Sequence, residues 1–438
     1  MIPRIRNGIL GLLVATALAR VPLQAQKAPA QATPPAAAQQ QATPQYSLPP
    51  DKLQKAIEYA QARNWLHFAG ALWGVLVLVV ILALGLGARF RDWAEAASKR
   101  RFVQALIFVP LVVLANDILN LPLGIYGQHL DLAFEQSIQS WPSWLWDWTK
   151  SELLAIALSV LLAFLLYGVI RRSPRRWWFY FWLAALPILF VVMFLEPILI
   201  EPLFFKFDPL AARHPALVEQ LEKVVARGGL AIPPDRMFEM QASEKTNSLN
   251  AYVTGFGASK RVVVWDTTIR RLTTPETLFV FGHEMGHYVL GHVRNTLIFL
   301  ALLVLVLLFL GYHLLHWELR RWGPRWRVRD IADWASLPAL ALIFTIFSFL
   351  TEPLINAYSR QQEHQADVYG LEVIHGIVPD SRAVASHSFQ VLGEVDLDEP
   401  NPNPFIEFWL YSHASISERI AFTNSYDPWS EGTPKYVR

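Results

Sequence analysis

Cysteine is missing from all 438 residues. Disulfides and thiolate metal ligands are therefore excluded, and any zinc must be held by imidazole and carboxylate groups. Charge is scarce as well. Asp, Glu, Lys and Arg make up 17% of the chain and hydrophobic residues 53%, whereas a soluble domain carries about 25% charged residues. That shortfall fits a chain that hides much of its surface in lipid. The net charge of +2 and the lack of a basic, aromatic-interleaved stretch give no reason to expect a nucleic-acid partner.

Residues 1–26 read as an export signal, with Arg4 and Arg6 ahead of an apolar run from Gly8 to Ala19 and a cleavage point after Ala25. An uncleaved membrane anchor is the rival reading. Residues 27–46 form a Pro/Ala/Gln tract with too few large apolar side chains to offset chain entropy, which predicts a disordered tether. Apolar runs of bilayer-spanning length then lie near 65–88, 102–122, 153–170, 177–199, 296–315 and 335–356. The second carries Asn116, Asp117 and Asn120, which face either a protein interior or the membrane interface.

The stretch 207–294 between the fourth and fifth runs is more polar. HPALVEQLEKVVARGG predicts an amphipathic helix, while RMFEMQAS, NAYVTGFG and KRVVVWDTT predict short strands with a turn at Gly255–Ser259. Beyond the sixth run the chain is again mostly soluble. The two soluble segments can form one domain only by meeting over the same face of the membrane.

Thr273-Thr274-Pro275-Glu276 predicts a helix start, with a threonine cap and a proline in the first turn. The helix carries His283, Glu284 and His287. Residues four apart share a helix face, so two imidazoles can meet one metal while Glu284 accepts a proton from water. His292 is one residue off the next helical step and reads as a supporting or surface residue. A third ligand must come from elsewhere. Glu363 in SRQQEHQADVYG is the best candidate, His364 competes with it, and Asp367 shares a helix face with Glu363 and can hold a ligand imidazole.

HEMGH, SRQQEHQAD, NAYVTGFGASKRVVVWDT and YSHASISER, with membrane segments between them, resemble the type I CAAX prenyl protease family over roughly residues 47–425. The resemblance implies a mainly α fold: a polytopic helical bundle in the membrane with a gluzincin-like zinc protease domain that contains a small β-sheet. It implies one Zn2+ held by His283, His287 and Glu363, with Glu284 as catalytic base and Asp367 behind a ligand. It also implies that His413 and Arg419 stabilise the oxyanion or orient substrate, and that Asn250 lies in the strand where a peptide docks by edge pairing. The substrate it implies is a peptide or membrane protein, lipidated near its C-terminus.

The resulting division is a signal or anchor (1–26), a tether (27–46), a four-span membrane domain (47–206), a metallopeptidase domain containing two further spans (207–425) and a tail (426–438). Two alternatives stand beside CAAX processing: quality control of damaged membrane proteins, and non-catalytic binding of lipid or peptide. Loop charge predicts orientation. Arg89–Arg101 holds five Lys or Arg, Arg171–Arg176 four and Arg320–Arg329 five, whereas loop 127–151 holds one. Basic loops favour the cytoplasm. Six crossings of a bacterial inner membrane then put the zinc domain on the exported side, although eukaryotic members of the resembled family present it to the cytosol.

Overall fold

The computed structural model describes residues 46–255 and 260–437. The leader, nearly all of the tether and most of the turn predicted at Gly255–Ser259 lie outside them. The membrane part begins with α1 (Pro50–Ala83), α2 (Leu86–Ala97), α3 (Arg101–Ala133), α4 (Trp141–Arg172) and α5 (Trp177–Leu195). Gly85 sits at φ +63° between α1 and α2, a left-handed conformation that ends α1 and turns the chain into the short α2. After α5, a π turn over Glu196–Ile200 and a last turn to Phe204 prolong the fourth candidate span, where Pro197 and Pro202 cannot supply helical N–H donors. Six helices among the described residues are long and apolar enough to cross a bilayer. Leu183, Phe190 and Val191 on α5 are largely exposed, an arrangement suited to lipid rather than water.

The soluble part holds β1 (Phe207–Pro209), α6 (Pro215–Arg227), β2 (Met237–Met240), β3 (Ala251–Thr254), β4 (Arg261–Trp265) and α7 (Thr274–Val289). Strand order is β1-β2-β4-β3; only β2 and β4 are parallel, and β3 forms an edge. The run Val262-Val263-Val264-Trp265 is apolar throughout because both faces of β4 are covered. Val262 and Val264 join the main core, while Val263 and Trp265 join a smaller one with Met240.

The chain then crosses back through α8 (His292–Trp326) and α9 (Leu337–Ile374) and closes with α10 (Ser381–Asp396), α11 (Pro404–Leu410) and α12 (Ile416–Ser425). The sixth apolar run and the SRQQEHQAD segment are one uninterrupted helix. At 38 residues, α9 is about 57 Å long, and only about 20 residues are needed to span a bilayer. Its C-terminal turns therefore rise out of the membrane and carry Glu363 and Asp367 into the soluble domain. Leu221, Val264 and Phe281 share one core with Tyr369, Phe389 and Ile420, so the two soluble segments do form a single domain. Tyr46 donates to the Asp398 carbonyl at 2.9 Å, and Ser137 bridges Thr246, which ties that domain to the same end of the helical bundle.

Candidate metal centre

Helix α7 starts as its sequence predicts. Thr273 and Glu276 form a reciprocal capping box, with the Thr273 backbone N–H donating to Glu276 Oε2 at 2.7 Å. Three glycines then let α7 and α9 approach closely. A Cβ on Gly282 would lie 2.7 Å from Val373 Cγ1, one on Gly286 3.0 Å from Tyr369 Cβ, and one on Gly370 3.0 Å from the His283 backbone nitrogen. This close approach brings ligand candidates from two helices together.

His283 Nε2 lies 3.2 Å from His287 Nε2 and 3.2 Å from Glu363 Oε2, and His287 Nε2 lies 3.6 Å from Glu363 Oε1. These donors can share one ion. Glu363 Oε2 is buried and makes no hydrogen bond, although His283 and His413 each present Nε2 at 3.2 Å. Zn–N bonds of 2.0–2.1 Å arranged tetrahedrally place donors about 3.3 Å apart. The spacing, the orphaned carboxylate oxygen and the imidazole/carboxylate chemistry all fit a divalent metal held by His283, His287 and Glu363. His364 is directed elsewhere, with its ring 4.5 Å from that of Phe422.

Around this group each partner has its own support. His283 Nδ1 donates to Asp367 Oδ1 at 2.8 Å, and Asp367 also accepts from Arg419 Nε at 2.9 Å and Nη2 at 2.6 Å. Burial lowers the pKa of His283, but the Asp367 and Glu363 carboxylates outweigh it and push the imidazole up to about 10. A metal held at Nε2 would take the place of that proton. Arg419 stacks on Phe389, 4.1 Å from the ring centroid, and its guanidinium is committed to Asp367. His413 is half exposed and borders the donor group. Arg360 on α9 holds its loop by donating to the Glu407 and Tyr411 carbonyls at 3.2 and 2.6 Å.

Glu284 is half-buried, and its side-chain carboxylate makes no hydrogen bond among the described residues. The edge strand β3 packs against α7. Asn250, just before β3, accepts the Ala251 N–H at 2.8 Å through its own side-chain oxygen, while its backbone N–H donates to Thr268 Oγ1 at 2.8 Å. Sequence reasoning missed Arg360 and the glycines at 282, 286 and 370. The spacing of Gly282 and Gly286, four apart on the motif helix, was the available signal.

Comparison with known proteins gives the same picture. Residues 211–426 match peptidase family M48, and residues 24–206 match the CAAX prenyl protease N-terminal family, described as five membrane helices; the described residues of that stretch contain four candidate spans. The chain is 35% identical over 380 residues to "Uncharacterized metalloprotease YhfN" of Bacillus subtilis, covering 87% of each. It is 26% identical over 384 residues to a "CAAX prenyl protease 1 homolog" of Dictyostelium discoideum, covering 84% of this chain and 85% of that one. The crystal structure of S. mikatae Ste24p shares the fold, with a TM-score of 0.72 at 22% identity over 85% of this chain and 89% of that chain. The protein is thus a multi-pass membrane metalloprotease. It belongs to the M48 peptidases and, within them, to the CAAX prenyl protease family.

Proposed function

We propose that the protein is a zinc endopeptidase with one Zn2+ per chain, held by His283, His287 and Glu363. The observation that carries this reading is the convergence of these three donors, from two helices, around the unpaired oxygen of Glu363. Zinc, when bound, supplies Lewis acidity: it makes water acidic and polarises a carbonyl. Glu284 takes a proton from the attacking water and delivers it to the leaving amine. A half-buried carboxylate without a hydrogen bond is free for that exchange. His413 donates from the open side of the centre to charge developing on the scissile carbonyl oxygen. Arg419 acts through Asp367, which fixes the His283 ring. The peptide lies along the free edge of β3, next to Asn250, by backbone pairing.

For substrate we propose a membrane-tethered peptide with a lipidated cysteine near its C-terminus, as the names of the relatives suggest; nucleic acid is not a partner. The basic loops at Arg89–Arg101, Arg171–Arg176 and Arg320–Arg329 support an inner-membrane protein with its protease domain on the exported side. The signal-like residues 1–26 support the same orientation. Cleavage of a prenylated peptide, its unmodified twin and a misfolded membrane protein, with Glu284→Gln as blank, tests the proposal. The prenylated peptide is expected to be cleaved fastest. Equal rates on both peptides would refute lipid selectivity, and faster cleavage of the misfolded protein would favour quality control. Wild-type turnover by Glu284→Gln would refute the mechanism.

A further inference from the structure

We propose that His292 is a positioning residue, which fixes the tautomer and ring orientation of His287 through a neutral hydrogen-bond relay ending at Gln365. The inference rests on the metal reading above. His287 directs Nε2 toward the other two donors. Its remaining nitrogen, Nδ1, lies 3.0 Å from Nδ1 of His292, whose Nε2 is 3.1 Å from Gln365 Oε1. If Nε2 of His287 gives its lone pair to a metal, Nδ1 carries the proton and must donate. His292 Nδ1 then accepts, and the single proton of a neutral His292 resides on Nε2. An amide oxygen is an acceptor only, so Gln365 closes the relay in one direction.

The backbone explains how a residue five positions after His287 reaches it. Helix α7 stops at Val289, and Gly291 takes φ +70° before α8 begins at His292. That left-handed residue, which glycine adopts without strain, folds the His292 ring back over His287. His292 is 3% exposed. The start of α8 is tied to α9 by Thr296 Oγ1 donating to Gln362 Oε1 at 3.1 Å. Accordingly, the two ligand imidazoles are oriented by different devices. An ion pair of Asp367 and Arg419 holds His283, whereas an uncharged chain holds His287 and adds no further negative charge.

The test is zinc affinity of the full chain in detergent, by competition with a chromogenic chelator, alongside thermal unfolding of the metal-free protein. His292→Phe preserves bulk but removes the acceptor, and should weaken zinc binding about 10–100-fold. His292→Asn places an amide oxygen near the former Nδ1 and should restore most of that loss. A packing role predicts the reverse, with Phe tolerated and Asn defective. Gln365→Leu, which removes the far acceptor and leaves His292 in place, is the second arm and should also weaken binding. Wild-type affinity in His292→Phe, or in Gln365→Leu if the Phe variant does not fold, would overturn the proposal. Absence of zinc binding by the wild type would instead defeat the metal reading itself.

Discussion

Replacing Arg419 with methionine keeps the length of the side chain and removes its charge. Asp367 is 2% exposed, and it would lose both guanidinium hydrogen bonds, at 2.9 and 2.6 Å. Two charge-assisted bonds at about 1.5–3 kcal/mol each suggest a loss of roughly 3–6 kcal/mol. Breaking a buried pair from one side costs about 3–5 kcal/mol, so the two routes agree. The assay is unfolding of the metal-free protein in mild detergent, followed by intrinsic fluorescence. Adding Asp367→Asn should return about 1–3 kcal/mol, because a neutral amide needs no cation. Zinc affinity should fall in Arg419→Met, since the carboxylate that orients His283 loses its anchor. The reasoning would be refuted by a variant within about 1 kcal/mol of wild type that binds zinc normally yet does not turn over. In that case the guanidinium acts on the substrate directly.

Three further outcomes are expected. Glu284→Gln should bind zinc like wild type and lose about 10²–10⁴-fold in kcat/KM, measured by metal content and peptide cleavage on one preparation. Gly282→Ala should destabilise the α7–α9 contact by about 1–3 kcal/mol, less the roughly 1 kcal/mol that alanine gains in a helix. Val373→Ala added to it should recover stability in thermal unfolding, because the clash is with Val373 Cγ1. In intact cells, a single cysteine at Arg175 should resist an impermeant thiol reagent and one at Asp235 should react. Both positions are exposed and the background is free of cysteine; labelling at position 175 would reverse the proposed orientation.

Much of this architecture is written in local pattern. The capping box before His283, the i, i+4 histidines and the strands β2, β3 and β4 follow from short-range spacing, and the structure forms them where that spacing predicts. The six apolar runs were legible for the same reason. What local pattern does not carry is contact between distant segments. The pairing of Arg419 with Asp367 spans 52 residues and that of His292 with Gln365 spans 73, and no periodicity links them. His292 is out of step with a continuous helix because the helix breaks at Gly291, before His292 starts the next one. The C-terminal tail is another such case. The backbone N–H groups of Lys435, Tyr436 and Val437 all donate to the fully buried carboxylate of Glu372, five residues beyond Asp367 on α9.

The claim that three side chains from α7 and α9 hold one ion is tested most directly by the metal content of the purified full-length protein and its Glu363→Gln variant. The wild type should carry about one zinc per chain, and Glu363→Gln, with two of three ligands left, should lose it on dialysis against a weak chelator. A Glu363→Gln protein that keeps a full equivalent at wild-type affinity, and cleaves peptide at the wild-type rate, would contradict the account.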